Sequence, residues 1–383
     1  MQGYVGDKHG RKIALTRSLF LMAIPTTLMG CLPTYEMVGI LSPILLALCR
    51  LIQGVSVGGQ LPASLVYTVE KREKSQWGYY GSLPMMASHI GTLLGNLCAA
   101  LLRQILTDDQ LIAWGWRLPF FSGILIAFVA YYLERYAADV HTTRGVYDSE
   151  TSEQTNPIRA AFRKGNRLAI LQTMLTVMLW ASGFYVSFIW MAIFMKELLN
   201  PPIEQAFWIS TLAMLFGMTF LFPIAGHLSD RVGRVKLMLA SAIALTAGGP
   251  FLFALIGKGN AFVAFVCQLC LGVFLTFFGG PLCAWLVENF SAEVRLTSAS
   301  LGYDLAHALV GGFSPLFATY LFDEFGKVAP GLIYIVFGTA SIIGISITHF
   351  CGVDQREEPS AGDLELQEES VSNSAKKDLP EVS

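Results

Sequence analysis

The sequence predicts an all-α membrane protein made of two related bundles of membrane-crossing helices. Three observations carry that prediction. First, the 383 residues are 54% hydrophobic and only 14% charged, with a mean hydropathy of +0.53. Soluble domains hold about 25% charged residues, so this chain cannot cover its surface with polar groups in water. Second, apolar runs of about 20 residues, long enough to cross a bilayer as helices, recur along the chain. Third, a short charged motif occurs twice in the same form: Gly3, Asp7, Lys8, Gly10 and Arg11 match Gly226, Asp230, Arg231, Gly233 and Arg234, 223 residues apart.

The apolar runs fall at roughly 13–33, 42–69, 83–103, 118–135, 168–195, 206–225, 237–256, 261–285, 298–322 and 331–351, about ten spans in all. Backbone groups in hydrocarbon must bond within their own segment, so these runs read as helices. Small residues at helical spacing, as in GVSVG (Gly54, Gly58) and GTLLG (Gly91, Gly95), suit close helix packing. Orientation follows from the loop cations. Lys8, Arg11, Lys12, Lys71, Arg72, Lys74, Arg135, Arg144, Arg159, Arg163, Lys164, Arg167, Arg231, Arg234, Lys236 and Arg295 fall on one side. Arg103, Lys196, Lys258 and Lys327 fall on the other. The first side is expected to be cytoplasmic, and with it the C-terminus.

The expected organisation is an N-terminal bundle over 1–135, a central cytoplasmic loop over 136–166 and a C-terminal bundle over 167–351. An acidic tail over 352–383 is too poor in apolar residues to fold alone. A second pair of positions strengthens the repeat. Glu70 and Glu288 each end a span, 218 residues apart, after a Gly-Asp-Arg loop and two further spans. Two motifs in one order at nearly one offset indicate two homologous bundles. Two spans precede the second loop and none precedes the first. If each bundle has six helices, the chain is expected to carry four of the first six and all of the second.

Other classes are disfavoured. A net charge of −2 gives no electrostatic footprint for nucleic acid. No nucleotide-binding loop, metal-ligand cluster or serine-nucleophile motif is present, so no nucleotide, cofactor or metal is expected. Cys267 and Cys270 form a CxxC within a Phe, Val and Leu run, which suits a helix face better than a redox pair.

At this point the sequence resembles the major facilitator superfamily, and within it the metabolite:proton symporters that include proline/betaine transporters. The residues that carry the resemblance are GYVGDKHGRK, RLIQGVSVGGQ (Arg50 to Gln60), WGWRLPFF (Trp114 to Phe121), GHLSDRVGRV and VENFSAEVRLTSASLGYD, covering residues 1 to about 351. The resemblance implies a major-facilitator fold of twelve helices, of which this chain matches helices three to twelve. It also implies secondary transport of a small organic solute with protons (or Na+ in their place), by a monomer in a cell membrane. Three positions depart from the family pattern. Gln60 stands where Glu is usual, Trp77 where Arg is usual seven residues after Glu70, and Asp304 where Asn is usual.

The resemblance assigns the Gly-Asp-Arg loops (Gly3, Asp7, Gly10, Arg11; Gly226, Asp230, Gly233, Arg234) to a latch that closes the cytoplasmic side. A carboxylate there suits a helix N-terminus, and an arginine suits carboxylates. A purely topogenic basic loop is the alternative. Glu288 with Arg295 fits either a switching pair or a static interfacial one. Arg50 lies in the apolar run LLALCRLIQG with Gln53 one turn on. Such a charge faces protein or a water-filled cavity, or snorkels to the interface. Asp304 and His307, three apart, share a helix face as a proton relay or as a packing pair. Trp180, Tyr185 and Trp190 lie on a helix that lines the central cavity in this family, where aromatic faces suit quaternary ammonium groups. Interface-belt packing is their alternative. His89, a lone polar residue in its span, is expected to bond a neighbouring helix. A non-transporting membrane protein (sensor, assembly partner or inactive product) is the competing functional class.

Overall fold

The computed structural model describes residues 11–57, 60–69, 72–136, 164–290 and 295–350. The described residues form ten helical rods: α1 (Arg11–Gly30), α2 (Leu41–Val57 with Gln60–Val69), α3 (Trp77–Ile105), α4 (Gly115–Tyr136) and α5 (Asn166–Leu198), followed by α6 (Ala206–Val232), α7 (Arg234–Ile256), α8 (Ala261–Glu288), α9 (Arg295–Phe325) and α10 (Ala329–Ile347). Eight of them, α2 and α4 to α10, are long and apolar enough to cross a membrane by length and composition. α1 and α3 have 20 and 29 residues. At 1.5 Å per residue that is about 30 and 43 Å, against a hydrocarbon core of about 30 Å.

α1 packs on α2 and α4, whereas α5 packs on α9 and α10, and α7 on α8 and α10. The two groups meet where α3 lies along α6 and α8, and where the second segment of α2 meets α9. Packing in the second group is pinned by buried polar groups that bond across helices. The Ser187 hydroxyl and the Tyr334 hydroxyl are 2.6 Å apart. Gln268 Nε2 donates to the Ser187 carbonyl at 2.6 Å, and Ser341 Oγ to the Thr176 carbonyl at 2.6 Å. Each bond satisfies a donor that would otherwise be stranded away from water, a loss of about 1–3 kcal/mol.

Three rods contain π-helical turns: Tyr185–Trp190 and Phe194–Leu198 in α5, Leu215–Thr219 in α6 and His307–Gly311 in α9. Such turns interrupt the regular ladder and are frequent at functional sites. The first turn of α5 and that of α9 face each other, since a Cβ placed on Gly311 would lie 3.2 Å from the Tyr185 ring.

Candidate functional site: an inter-bundle latch and the aromatic cluster behind it

α3 starts at Trp77 without help from its own cap residue, because Gln76 makes no side-chain bond to it. The first backbone N–H groups of any helix lack partners in their own helix. Here the other bundle supplies one. Asp230, near the end of α6, accepts from Gly78 N at 2.8 Å with Oδ1 and from Tyr79 N at 2.9 Å with Oδ2. One carboxylate thus caps a helix 151 residues away in sequence, at the end where the dipole favours an anion.

Arg234, the next basic residue of the motif, ties the same junction. Its Nη2 donates to the Lys74 carbonyl at 2.7 Å and to Asp230 Oδ1 at 3.1 Å, while its Nη1 forms an ion pair with Glu288 at the end of α8. The Arg234 and Glu288 side chains are 17% and 28% exposed and both belong to the second bundle, so their pair does not itself cross the junction. Hydrogen bonds to a charged acceptor are worth about 1.5–3 kcal/mol. The Asp230 cap therefore carries more of the junction than the Arg234–Glu288 pair.

The glycines of the motif have separate reasons. Gly233 has φ +104°, a conformation that side chains resist, and it turns the chain from α6 into α7. Gly226 lies where α6 crosses α3. A Cβ there would fall 2.7 Å from Ser82 Oγ and nearer still to the Gly78 carbonyl. Gly78 is the matching gap on α3, against Ser229, Asp230 and the Gly226 carbonyl. The crossing is backbone against backbone.

Glu288 and Arg295 take different partners here. Arg295 is buried at the start of α9, donates Nε to the Phe290 carbonyl at 3.1 Å and holds its guanidinium 5.6 Å from the Trp77 ring centre. The two positions that follow the paired glutamates by seven residues therefore meet each other across the bundles. Trp77 in turn donates Nε1 to the Arg72 carbonyl at 2.9 Å, and the Arg72 guanidinium lies 4.3 Å from the Tyr80 ring centre.

Deeper in the protein lies an aromatic cluster. Trp180 is buried against Phe184 and Phe222, with Tyr303 beside it. The His307 ring stacks on Tyr303 with centroids 4.0 Å apart, and its Nδ1 donates to the Tyr303 carbonyl at 3.1 Å. Asp304 and Tyr185 are half-buried beside this group. Trp190 lies outside it, bonded to Thr319 at 2.8 Å and stacked on Phe194.

Arg50 stands apart on α2. It is exposed and donates Nη1 to Gln53 Oε1 at 3.2 Å, and buried Gln53 passes the link to Thr26 Oγ1 of α1 at 2.8 Å. Gln60 is half-buried at the start of the second segment of α2. Gly3, Asp7, Gly10 and Glu70 lie outside the described residues, as do the long central loop and the acidic tail. Of the first loop, Arg11 is described only as the opening residue of α1.

Sequence reading missed three participants. Gly78 and Tyr79 act through backbone amides, which no residue pattern reveals. Trp77 was visible only as a departure from a family pattern. His89 does not bond a neighbouring helix: its Nδ1 engages the Met85 carbonyl of its own helix at 2.8 Å.

Comparisons with known proteins agree with this architecture. The family profile described as Major Facilitator Superfamily matches residues 1–217 and again 173–379. The chain is 31% identical over 355 residues to the inner membrane metabolite transport protein YhjE of Escherichia coli K12, covering 91% of this chain and 79% of that one. It is 27% identical over 355 residues to a putative proline/betaine transporter of Staphylococcus aureus MSSA476, covering 91% and 74%. Among solved structures, the proton:xylose symporter XylE superposes with a TM-score of 0.68 at 19% identity, covering 91% of this chain and 81% of that one. With its repeated motif, its ten helical rods and these matches, the chain belongs to the major facilitator superfamily.

Proposed function

We propose that this protein is a secondary active transporter that moves a small polar organic solute by alternating access, coupled to protons. The solute class is a zwitterionic osmolyte of the proline or betaine kind, or a carboxylate. The observation that carries the proposal is the Asp230 cap on Gly78 and Tyr79. It joins the two bundles at the ends of α3 and α6, away from the aromatic cluster, through bonds that can break without unfolding either helix. A closure of this kind is what rocking of two bundles about a central site requires. The relatives named for metabolite and proline/betaine transport support the solute class. Trp180, Tyr185, Asp304 and His307 line the solute site in this reading, Arg50, Gln53 and Gln60 serve coupling or binding, and the latch end faces the cytoplasm.

The test is uptake into proteoliposomes with an alkaline interior, using labelled L-proline, glycine betaine and succinate as separate probes. Accumulation of at least one probe above its external concentration, abolished by a protonophore, is the expected result. Uptake of none of them above protein-free vesicles removes the proposed solute class.

A further inference from the structure

Among the described residues, His89 is the one titratable side chain of α3 that is both deep in the rod and enclosed by the other bundle. It is 4% exposed. It lies twelve residues, about 18 Å, from the latch end of α3. Phe222 of α6 approaches its ring at 4.7 Å between centroids, Phe184 of α5 at 5.2 Å and Trp180 of α5 at 5.9 Å. The imidazole of one bundle thus sits in an aromatic box built largely by the other.

The tautomer follows from the hydrogen bond. A carbonyl only accepts, so the 2.8 Å contact with Met85 requires that Nδ1 carry the hydrogen. The lone pair of the neutral ring is then on Nε2, and that atom is buried with no hydrogen-bond partner among the described residues. A bare basic nitrogen in a dry box is costly, because burial without a partner forfeits its hydration.

From this geometry we infer that His89 Nε2 is a proton-binding site whose access is controlled by separation of the two bundles. The inference rests on the transport reading above and names the group that carries the proton. With the box closed, no water reaches Nε2. When α5 and α6 move away from α3, the lone pair meets water and takes a proton, which reclosing must either release or hold against the rings. Proton binding and bundle opening are then linked, each favouring the other by the same factor.

The surrounding titratable groups leave His89 that role. On α6, His227, Asp230 and Arg231 sit at the level of Tyr79, about 15 Å along the rod. On α8, Cys283 lies opposite Gly81, and Glu288 is engaged by Arg234 at the latch; Cys267 and Cys270 lie further along α8. Tyr67 is on α2 and Arg117 on α4, the latter bonded to the Ala113 and Leu32 carbonyls. On α9, Tyr303 lies beside Trp180, with Asp304 near it and the His307 ring stacked on it.

The experiment reads protonation without needing a solute. Protonated imidazole quenches an adjacent indole, so the tryptophan fluorescence of the purified protein is titrated from pH 8 down to about pH 3.5, with folding monitored in parallel. Wild type should lose intensity on acidification in a step that is absent from His89→Gln, His89→Phe and Trp180→Phe. The Phe variant keeps the packing volume, so a folded, monodisperse His89→Phe protein without the step excludes misfolding as its cause. In proteoliposomes, both His89 variants should exchange labelled L-proline, glycine betaine or succinate across the membrane within about twofold of wild type while losing pH-driven accumulation. A titration step that survives in both His89 variants, or its absence from wild type, overturns the inference. Undiminished pH-driven accumulation in the variants also overturns it. If wild type moves none of the three probes, the solute reading fails and the fluorescence step still decides His89.

Discussion

Asp230 and Gly78, one on each bundle, are joined by a 2.8 Å hydrogen bond from the Gly78 amide to the Asp230 carboxylate. The Tyr79 amide completes the cap at 2.9 Å. The contact gives a reason for the aspartate, glycine and arginine of the second copy of the motif. Asp230 neutralises a helix end of the opposite bundle, and Arg234 holds that carboxylate in place.

Replacing Asp230 with Ala should therefore loosen the junction while leaving both bundles folded. Loss of bonds to a charged acceptor costs about 1.5–3 kcal/mol, roughly ten- to 150-fold in the ratio of closed to open protein. Asp230→Asn, which keeps one acceptor oxygen, should cost less. Ser82 is fully buried under the junction. In a variant without native cysteines, the alkylation rate of Ser82→Cys reports opening and should rise by that factor in the Asp230→Ala background.

Gly226→Ala should prevent closure rather than weaken it. Its new methyl meets Ser82 and the Gly78 carbonyl, and backbone cannot give way as a flexible side chain can. Gly91→Ala on α3 is the control, because a Cβ there meets nothing within 4 Å. Transport by the first variant should be lost and by the second unchanged, with equal amounts of both in the membrane.

Trp77 and Arg295 should behave as a pair. Trp77→Phe keeps an aromatic face under the guanidinium, whereas Trp77→Ala removes it at a cost of about 0.5–2 kcal/mol. Trp77→Arg places two cations together and should favour the open form more than Trp77→Ala does. A double-mutant cycle with Arg295→Gln, read by the same alkylation assay, should show coupling for Ala and none for Phe.

The spans were legible because their apolar runs exceed what any soluble core needs, and the repeat because Gly, Asp and Arg recur at one offset. The limits of α3 were not. The apolar run begins near 83, yet the helix begins at Trp77, since the turn holding Gly78 and Tyr79 is stabilised by a carboxylate from α6 rather than by apolar periodicity. Of the candidate site, Asp230 and Arg234 were visible as motif residues while their partners were not. Gly78 and Lys74 act through backbone groups, and Arg295 reaches Trp77 only in the folded arrangement of two bundles. The box around His89 draws on α3, α5 and α6, a three-helix relationship that no local pattern encodes.

Arg50 gives a separate test in the first bundle. Through Gln53 it is linked to Thr26 of α1. Arg50→Ala should abolish solute uptake with normal membrane abundance, and Arg50→Lys should restore only part of it, because the planar fork is lost. Gln60→Glu is its companion and should make uptake more pH-dependent. A flat pH profile in both wild type and the Gln60→Glu variant would remove that position from coupling.

The most direct measurement is a reversible cross-link at the junction. Ser75 of the first bundle and Arg231 of the second line one groove of about 610 Å³ beside the latch. In a cysteine-free background, Ser75→Cys with Arg231→Cys should react with a short, reducible bifunctional reagent and lock the bundles at that end. Alternating access predicts that the cross-linked protein loses uptake and that reduction restores it. Uptake at an undiminished rate while the cross-link is intact would contradict the account, because the junction would then not need to open for the solute to pass.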